Sequence, residues 1–196
     1  MIKKNIIIAG VGGQGLVLAT KIIAEAAFRE GYDVKTNDVV GLSQRGGTVW
    51  GTVKFGDHIY SPNILPKEGD ILLGMEPLEA LRWSHNLKDG GIIILNIKEV
   101  HPTPVLLEIE KYPNDEIKQL KEKFRVIEID AMKEAKLSGN IKAANTILIG
   151  LLSTFLEISE DTWQFVLREN VPSKAIEENI NAFRRGSSFK IDQEVI

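Results

Sequence analysis

Apolar positions recur along this chain in two rhythms, and the changes between them mark its elements. Asn5-Ile6-Ile7-Ile8-Ala9-Gly10 is a continuous apolar run, the pattern of a strand buried on both faces of a parallel sheet. From Leu16 to Arg29, Leu16, Ala19, Ile22, Ile23, Ala26 and Ala27 return at helical spacing, and Gly31 stops the helix. Asp33-Val34-Lys35-Thr36-Asn37-Asp38-Val39 then alternates like a second strand. Strand, glycine cluster, helix and strand make a βαβ unit, whose crossover is right-handed with few exceptions.

The rhythm then breaks. Thr48 to Phe55 alternates at period two, Gly56-Asp57 supplies a turn, and His58-Ile59-Tyr60-Ser61 reads as a return strand. That predicts a hairpin and a mixed sheet. Asp70 to Met75 reads as a short buried strand, followed by a helix from about Leu78 to Leu87 that Asp89-Gly90-Gly91 ends. Ile92 to Asn96 is the next core strand, and residues 97–113, with Pro102, Pro104 and Pro113, read as a loop. A helix over Asp115–Phe124 and a strand over Arg125–Asp130 follow. The rest is helical, with segments near Ala143–Leu156, Asp161–Glu169 and Ser173–Arg184, and residues after Gly186 are expected to pack poorly. The expected architecture is one domain over residues 1–196. A Rossmann-like, three-layer α/β part over 1–135 has a mixed, mostly parallel sheet with a β-hairpin, and a helical C-terminal part covers 136–190.

Composition narrows the function. The chain has 196 residues, 24 Lys+Arg against 27 Asp+Glu, a formal charge of −3 and no cysteine. A nucleic-acid surface would need a basic excess. Without cysteine there is no disulfide framework, thiolate nucleophile, Cys-ligated zinc or iron–sulfur cluster held by this chain alone. The longest apolar stretch, Ile147 to Leu156, is interrupted by Gly150, Ser153 and Thr154, too short for a spanning helix of about 20 apolar residues. The apolar run after Lys3-Lys4 is likewise too short for a signal peptide, so a cytoplasmic location is expected.

Two loops carry the candidate chemistry. Gly10-Val11-Gly12-Gly13-Gln14-Gly15 follows a strand and opens a helix, where glycines allow positive φ and backbone N–H groups face an anion. The same glycines also serve a tight turn with close helix–sheet packing and no ligand. If this were a dinucleotide site, Asp38 would hold the ribose. Ser43-Gln44-Arg45-Gly46-Gly47 is the second loop, just past the second strand, and its Arg45 can grip a phosphate or carboxylate with both arms or tie down local carbonyls. Ligands gather at the carboxyl ends of strands in such sheets, so both loops are expected on one rim. His58, His85 and His101 share no common setting and suggest no acid–base pair. Trp50, Trp83 and Trp163 are spread over three elements and read as core or interface anchors.

With these two loops the sequence resembles the gamma subunit or domain of the 2-oxoacid:ferredoxin oxidoreductases, most closely the small subunit of the arylpyruvate-oxidising branch. Gly31-Tyr32-Asp33-Val34-Lys35, Glu76-Pro77-Leu78-Glu79-Ala80-Leu81-Arg82, Gly90-Gly91 before a strand ending in Asn96, Asn145, Pro172-Ser173-Lys174 and Glu178-Asn179-Ile180-Asn181-Ala182-Phe183 share the likeness. The resemblance implies an accessory subunit that holds no cofactor, metal or catalytic residue of its own. Its partner would be a large alpha subunit carrying thiamine diphosphate and iron–sulfur clusters, with ferredoxin downstream and coenzyme A as a contact. It implies that Gly10, Gly12, Gly13, Gln14, Gly15, Ser43, Gln44, Arg45, Gly46 and Gly47 line a rim meeting coenzyme A, the partner, or both. A gamma subunit for pyruvate, oxoglutarate or branched-chain oxoacids, and a stand-alone Rossmann-like nucleotide-binding module, are the alternatives.

Overall fold

The apolar run forms β1 (Lys3–Val11), buried from Asn5 onward. Both faces of this strand are covered, with Ile6 and Ile8 in one apolar cluster and Ile7 and Ala9 in another, which is why the run does not alternate. The computed structural model describes residues 3–40 and 47–191. Helix α1 (Leu16–Arg29) leads to β2 (Asp33–Val40), and β3 (Thr48–Gly56) runs back between β2 and β1, antiparallel to both. On the other side of β1, β4 (Gly69–Gly74), β5 (Leu87–Asn96) and β6 (Arg125–Ile129) continue in parallel, giving the order β2-β3-β1-β4-β5-β6. The sheet is mixed and mostly parallel, and β1 and β2 point the same way with one strand inserted between them.

The hairpin differs from the one the alternation suggests. Residues 58–61 form no strand, because β3 already has β1 on one edge and β2 on the other and offers no free edge to a return strand. Instead the segment after β3 folds over the sheet, where Thr52 Oγ1 donates to Pro62 O (3.0 Å) and Lys54 Nζ to Asn63 O (3.0 Å). The helix expected from Leu78 is α2 (Pro77–Trp83) plus a 3-10 turn at Ser84–Asn86. Asp89-Gly90-Gly91 lies inside β5 rather than ending that helix, and Gly90, at φ +70°, sits in the irregular stretch of the β4–β5 pairing.

The segment before β6 is broken into α3 (Thr103–Leu106), α4 (Asn114–Lys118) and α5 (Leu120–Lys123). After β6 come α6 (Ala131–Leu137), α7 (Ala144–Ser153), α8 (Glu160–Asn170) and α9 (Ile176–Ser187). Residues of α1, α6, α7, α8 and α9 share the larger core cluster on one face, and residues of α2 and α5 the smaller one on the other. Phe189 and Ile191 pack against the larger cluster, so residues 187–191 are better anchored than the sequence implies. No helix among the described residues is long and apolar enough to cross a membrane.

Helix α7, apolar nearly all round, is buried through Leu152 from Asn145. It meets α9 at two reciprocal glycines. A Cβ on Gly150 would stand 2.2 Å from Phe183 O, and one on Gly186 would stand 2.1 Å from Ile147 O. Backbone blocks both positions, so Gly186→Ala forces the helices apart. We expect it to cost about 1–3 kcal/mol, lowering Tm by roughly 2–12 °C for a chain of this size, as measured by calorimetry; an unchanged Tm contradicts the close approach.

Candidate functional site

The chain leaves β1 at Val11 through Gly13 (φ +99°) and Gly15 (φ +78°), the residue that caps α1 without a side-chain hydrogen bond. Positive φ at both positions strongly favours glycine, and the first N–H groups of α1 are left without intrahelical acceptors. Gly12 N donates to Gly47 O (2.9 Å), and Val11 lies opposite Thr48 in the sheet, so the first loop and the end of the second meet on one rim. Ser43, Gln44, Arg45 and Gly46 lie outside the described residues.

Gln14 turns inward as well as lining the rim. Its Oε1 accepts from Val11 N (2.8 Å) and its Nε2 donates to Met75 O (3.0 Å), the residue just beyond β4. Asn96, at the end of β5 and buried, donates through Nδ2 to the same Met75 oxygen (3.0 Å) and accepts from Ala131 N at the start of α6 (3.2 Å). Two side-chain amides thus tie the ends of β1, β4 and β5 and the start of α6 together. Gln14 holds the turn in place, a role its position within a glycine motif does not reveal.

Two adjoining clefts open from the turn, of about 580 and 510 Å³, and share Gly13, Gln14, Lys142 and Asn145. Asn145, in the first turn of α7, donates to Gly15 O at the cap of α1 (3.4 Å). Among the described residues, the ionisable side chains lining the clefts are Lys174 in one, Lys98 in the other and Lys142 in both, all exposed, and no carboxylate lines either. A helix start with lysines gathered round it is a setting for a polyanion. Sequence reasoning missed these lysines because they come from three distant segments. Only Lys98, two residues past a strand's carboxyl end, carried a local signal.

Asp38 does not join this site. It lies opposite Gly51 in the β2–β3 pairing, and the inserted β3 sets β2 two strand spacings, about 10 Å, from β1. The histidines stay apart: His58 lies in the loop after β3 rather than in a strand, His85 stacks on Trp83 and His101 pairs with Glu99.

Beside the rim is a buried acidic network. Glu76 accepts from Tyr112 OH (2.6 Å), Val100 N (3.2 Å) and Glu79 N (2.9 Å). Glu79, also buried, accepts from Thr48 Oγ1 (3.1 Å) and Arg82 Nη1 (2.6 Å). Burial pushes the Glu79 carboxyl above its ordinary value, against the pull of Arg82 and Thr48, and nearby Glu76 pushes the same way as burial. Burial first, then the bond to Glu76, raises the Tyr112 phenol, which therefore keeps its proton and donates it. The network secures Thr48, where the chain re-enters the sheet after the second loop.

The family model described as pyruvate ferredoxin/flavodoxin oxidoreductase matches residues 5–189. The indolepyruvate oxidoreductase subunit IorB of Thermococcus kodakarensis is 39% identical over 188 residues, 93% of each chain. Among solved structures, the keto/oxoacid ferredoxin oxidoreductase gamma subunit of Geobacter sulfurreducens aligns with a TM-score of 0.72 at 24% identity, covering 95% of both chains. The 2-oxoglutarate:ferredoxin oxidoreductase of Magnetococcus marinus, solved with 2-oxoglutarate, coenzyme A and succinyl-CoA, aligns with a TM-score of 0.75 at 21% identity, over 96% of this chain and 31% of that one. At these identities the structures speak for the fold alone. Fold and rim define a mixed α/β chain with a glycine turn at its strand ends and lysines around the clefts beside it. The chain belongs to the pyruvate ferredoxin/flavodoxin oxidoreductase family.

Asn96→Leu leaves the Ala131 N–H without its acceptor and removes one donor from Met75 O. A loss of about 1–3 kcal/mol is expected in denaturant unfolding, and a stable variant would refute the shared-acceptor arrangement. Glu79 yields a pH signature. Its folded pKa lies above the unfolded one, so the native state binds more protons, and stability falls as pH rises from near 4.5, the ordinary value, through the raised folded value. In Glu79→Gln that part of the slope should vanish from a stability–pH profile; an unaltered slope means that Glu79 does not titrate as described.

Proposed function

We propose that this chain is the accessory subunit of an indolepyruvate:ferredoxin oxidoreductase, supporting oxidative decarboxylation of arylpyruvates to aryl-acetyl-CoA. Its partner is a large alpha-type subunit. Thiamine diphosphate there supplies the decarboxylation chemistry, and iron–sulfur clusters carry two electrons to ferredoxin. The absence of cysteine from all 196 residues supports this division, since every thiolate ligand of a cluster must then come from another chain. Near-full-length likeness to a subunit named for indolepyruvate favours that oxoacid over pyruvate or oxoglutarate.

The observation that carries a role for this chain is the glycine turn opening into clefts whose ionisable lining, among the described residues, is lysine. On this reading Gly10, Gly12, Gly13, Gln14, Gly15 and Gly47, with Ser43, Gln44, Arg45 and Gly46 of the second loop, form the rim that meets coenzyme A, the partner or both. Lys98, Lys142 and Lys174 face its phosphates. The chain binds and orients; it performs no bond-making step.

The chain co-expressed with its large subunit should oxidise indolepyruvate faster than pyruvate or oxoglutarate, with ferredoxin reduction as the readout. Lys142→Ala should weaken coenzyme A binding by calorimetry about tenfold, the loss of one charge-assisted contact of roughly 1.4 kcal/mol. Unchanged affinity and unchanged assembly in both Lys142→Ala and Arg45→Ala would dismiss the rim as a binding surface.

A further inference from the structure

The face of the sheet opposite α1 is unevenly covered. Residues of α2 and α5 pack over the parallel strands, while the antiparallel corner is crossed by the segment after β3. Between the two covers lies a cup of about 220 Å³ on Ile7 and Thr52, entered past Asn37 of edge strand β2 and Asn63 of the crossing segment.

Its wall is aromatic. Trp50 of β3 and Trp83 at the end of α2 come together with ring centroids 4.3 Å apart and planes 34° apart. His85 extends the stack, its ring 6.2 Å from that of Trp83 and 24° from parallel. Trp163 is different: it is buried and packs on Phe183, a core anchor as the sequence implied. Trp50 and Trp83 are each only half-buried, so their indoles present surface to the cup.

Three side-chain amides share the lining. Asn86 is buried and its Nδ2 meets the His85 ring at 3.2 Å. Asn37 and Asn63 make no side-chain hydrogen bond with the other described residues. None of the described lining residues is ionisable. The volume lies below the 300–1,000 Å³ of pockets that enclose a whole drug-sized ligand, so the space suits one small ring system.

We propose that this cup binds a flat, uncharged, nitrogen-bearing aromatic ring of one or two fused rings. The ring lies against the Trp50–Trp83 wall, as aromatic faces favour. The amides of Asn37, Asn63 and Asn86 read its edge, since an amide offers both donors and an acceptor. A free purine base and free indole share this chemistry and are separate arms of the test. The proposal does not rest on the lysine-lined rim, which shares no lining residue with the cup.

Saturation-transfer NMR on the full chain, alone and with its large subunit, should show adenine or indole receiving saturation, with cyclohexanol as a non-aromatic control. Affinity for the responding ring should fall at least tenfold in Trp83→Leu and severalfold in Asn37→Ala. Trp83→Phe, which keeps an aromatic face, should retain most of it and shows that the loss is not one of folding. The proposal fails if neither ring binds at millimolar concentration, if cyclohexanol binds equally, or if Trp83→Leu binds as well as the parent. Binding abolished by the large subunit also overturns it, because the cup is then a socket for that partner.

Discussion

One carbonyl organises the rim of this protein. Met75 O, just past the end of β4, accepts from Gln14 and from Asn96, and Met75 N donates to Ala9 O (2.8 Å). Through those contacts the glycine turn, the ends of three parallel strands and the start of α6 are held in one arrangement. A buried carbonyl with fewer partners would be costly, and a buried amide with none more so, so each residue constrains the others. These bonds occupy the inner side of the turn.

The inserted strand β3 explains much of the remainder. It separates β2 from β1 and takes Asp38 away from the glycine turn. It also returns the chain to the rim at Thr48, where Arg82 donates to both Thr48 Oγ1 and Glu79, and Gly47 O accepts from Gly12 N of the first loop. One topological change thus takes Asp38 from the glycine turn and brings Gly47 and Thr48 to it.

Local patterns carried a good share of this fold. The span of α1, the core of β1, the region of β4 and the apolar α7 were all legible, because periodicity and glycine punctuation act within a few residues. The hairpin partner of β3 was not. Alternation reveals that a strand has two unlike faces and is silent about which strands take its edges. Gly90-Gly91 misled for a related reason: the positive φ that ends a helix also fits an irregular strand pairing. At the candidate site the glycines and Gln14 were visible as a motif, while Lys98, Lys142 and Lys174 were scattered and silent. The pairing of Trp50 with Trp83 was equally hidden, since a residue of β3 and a residue of α2 become neighbours only through the sheet.

By itself, then, the sequence determined an α/β chain with a glycine turn opening its first helix, and a chain unable to ligate a cluster through cysteine. These are matters of local conformation and of which atoms are present. The tertiary structure alone decided the strand order, the inward turn of Gln14, the cationic lining of the clefts and the aromatic cup. Each depends on contacts between residues far apart in the chain, and those are selected by which edges and faces remain to be buried once the local elements have formed.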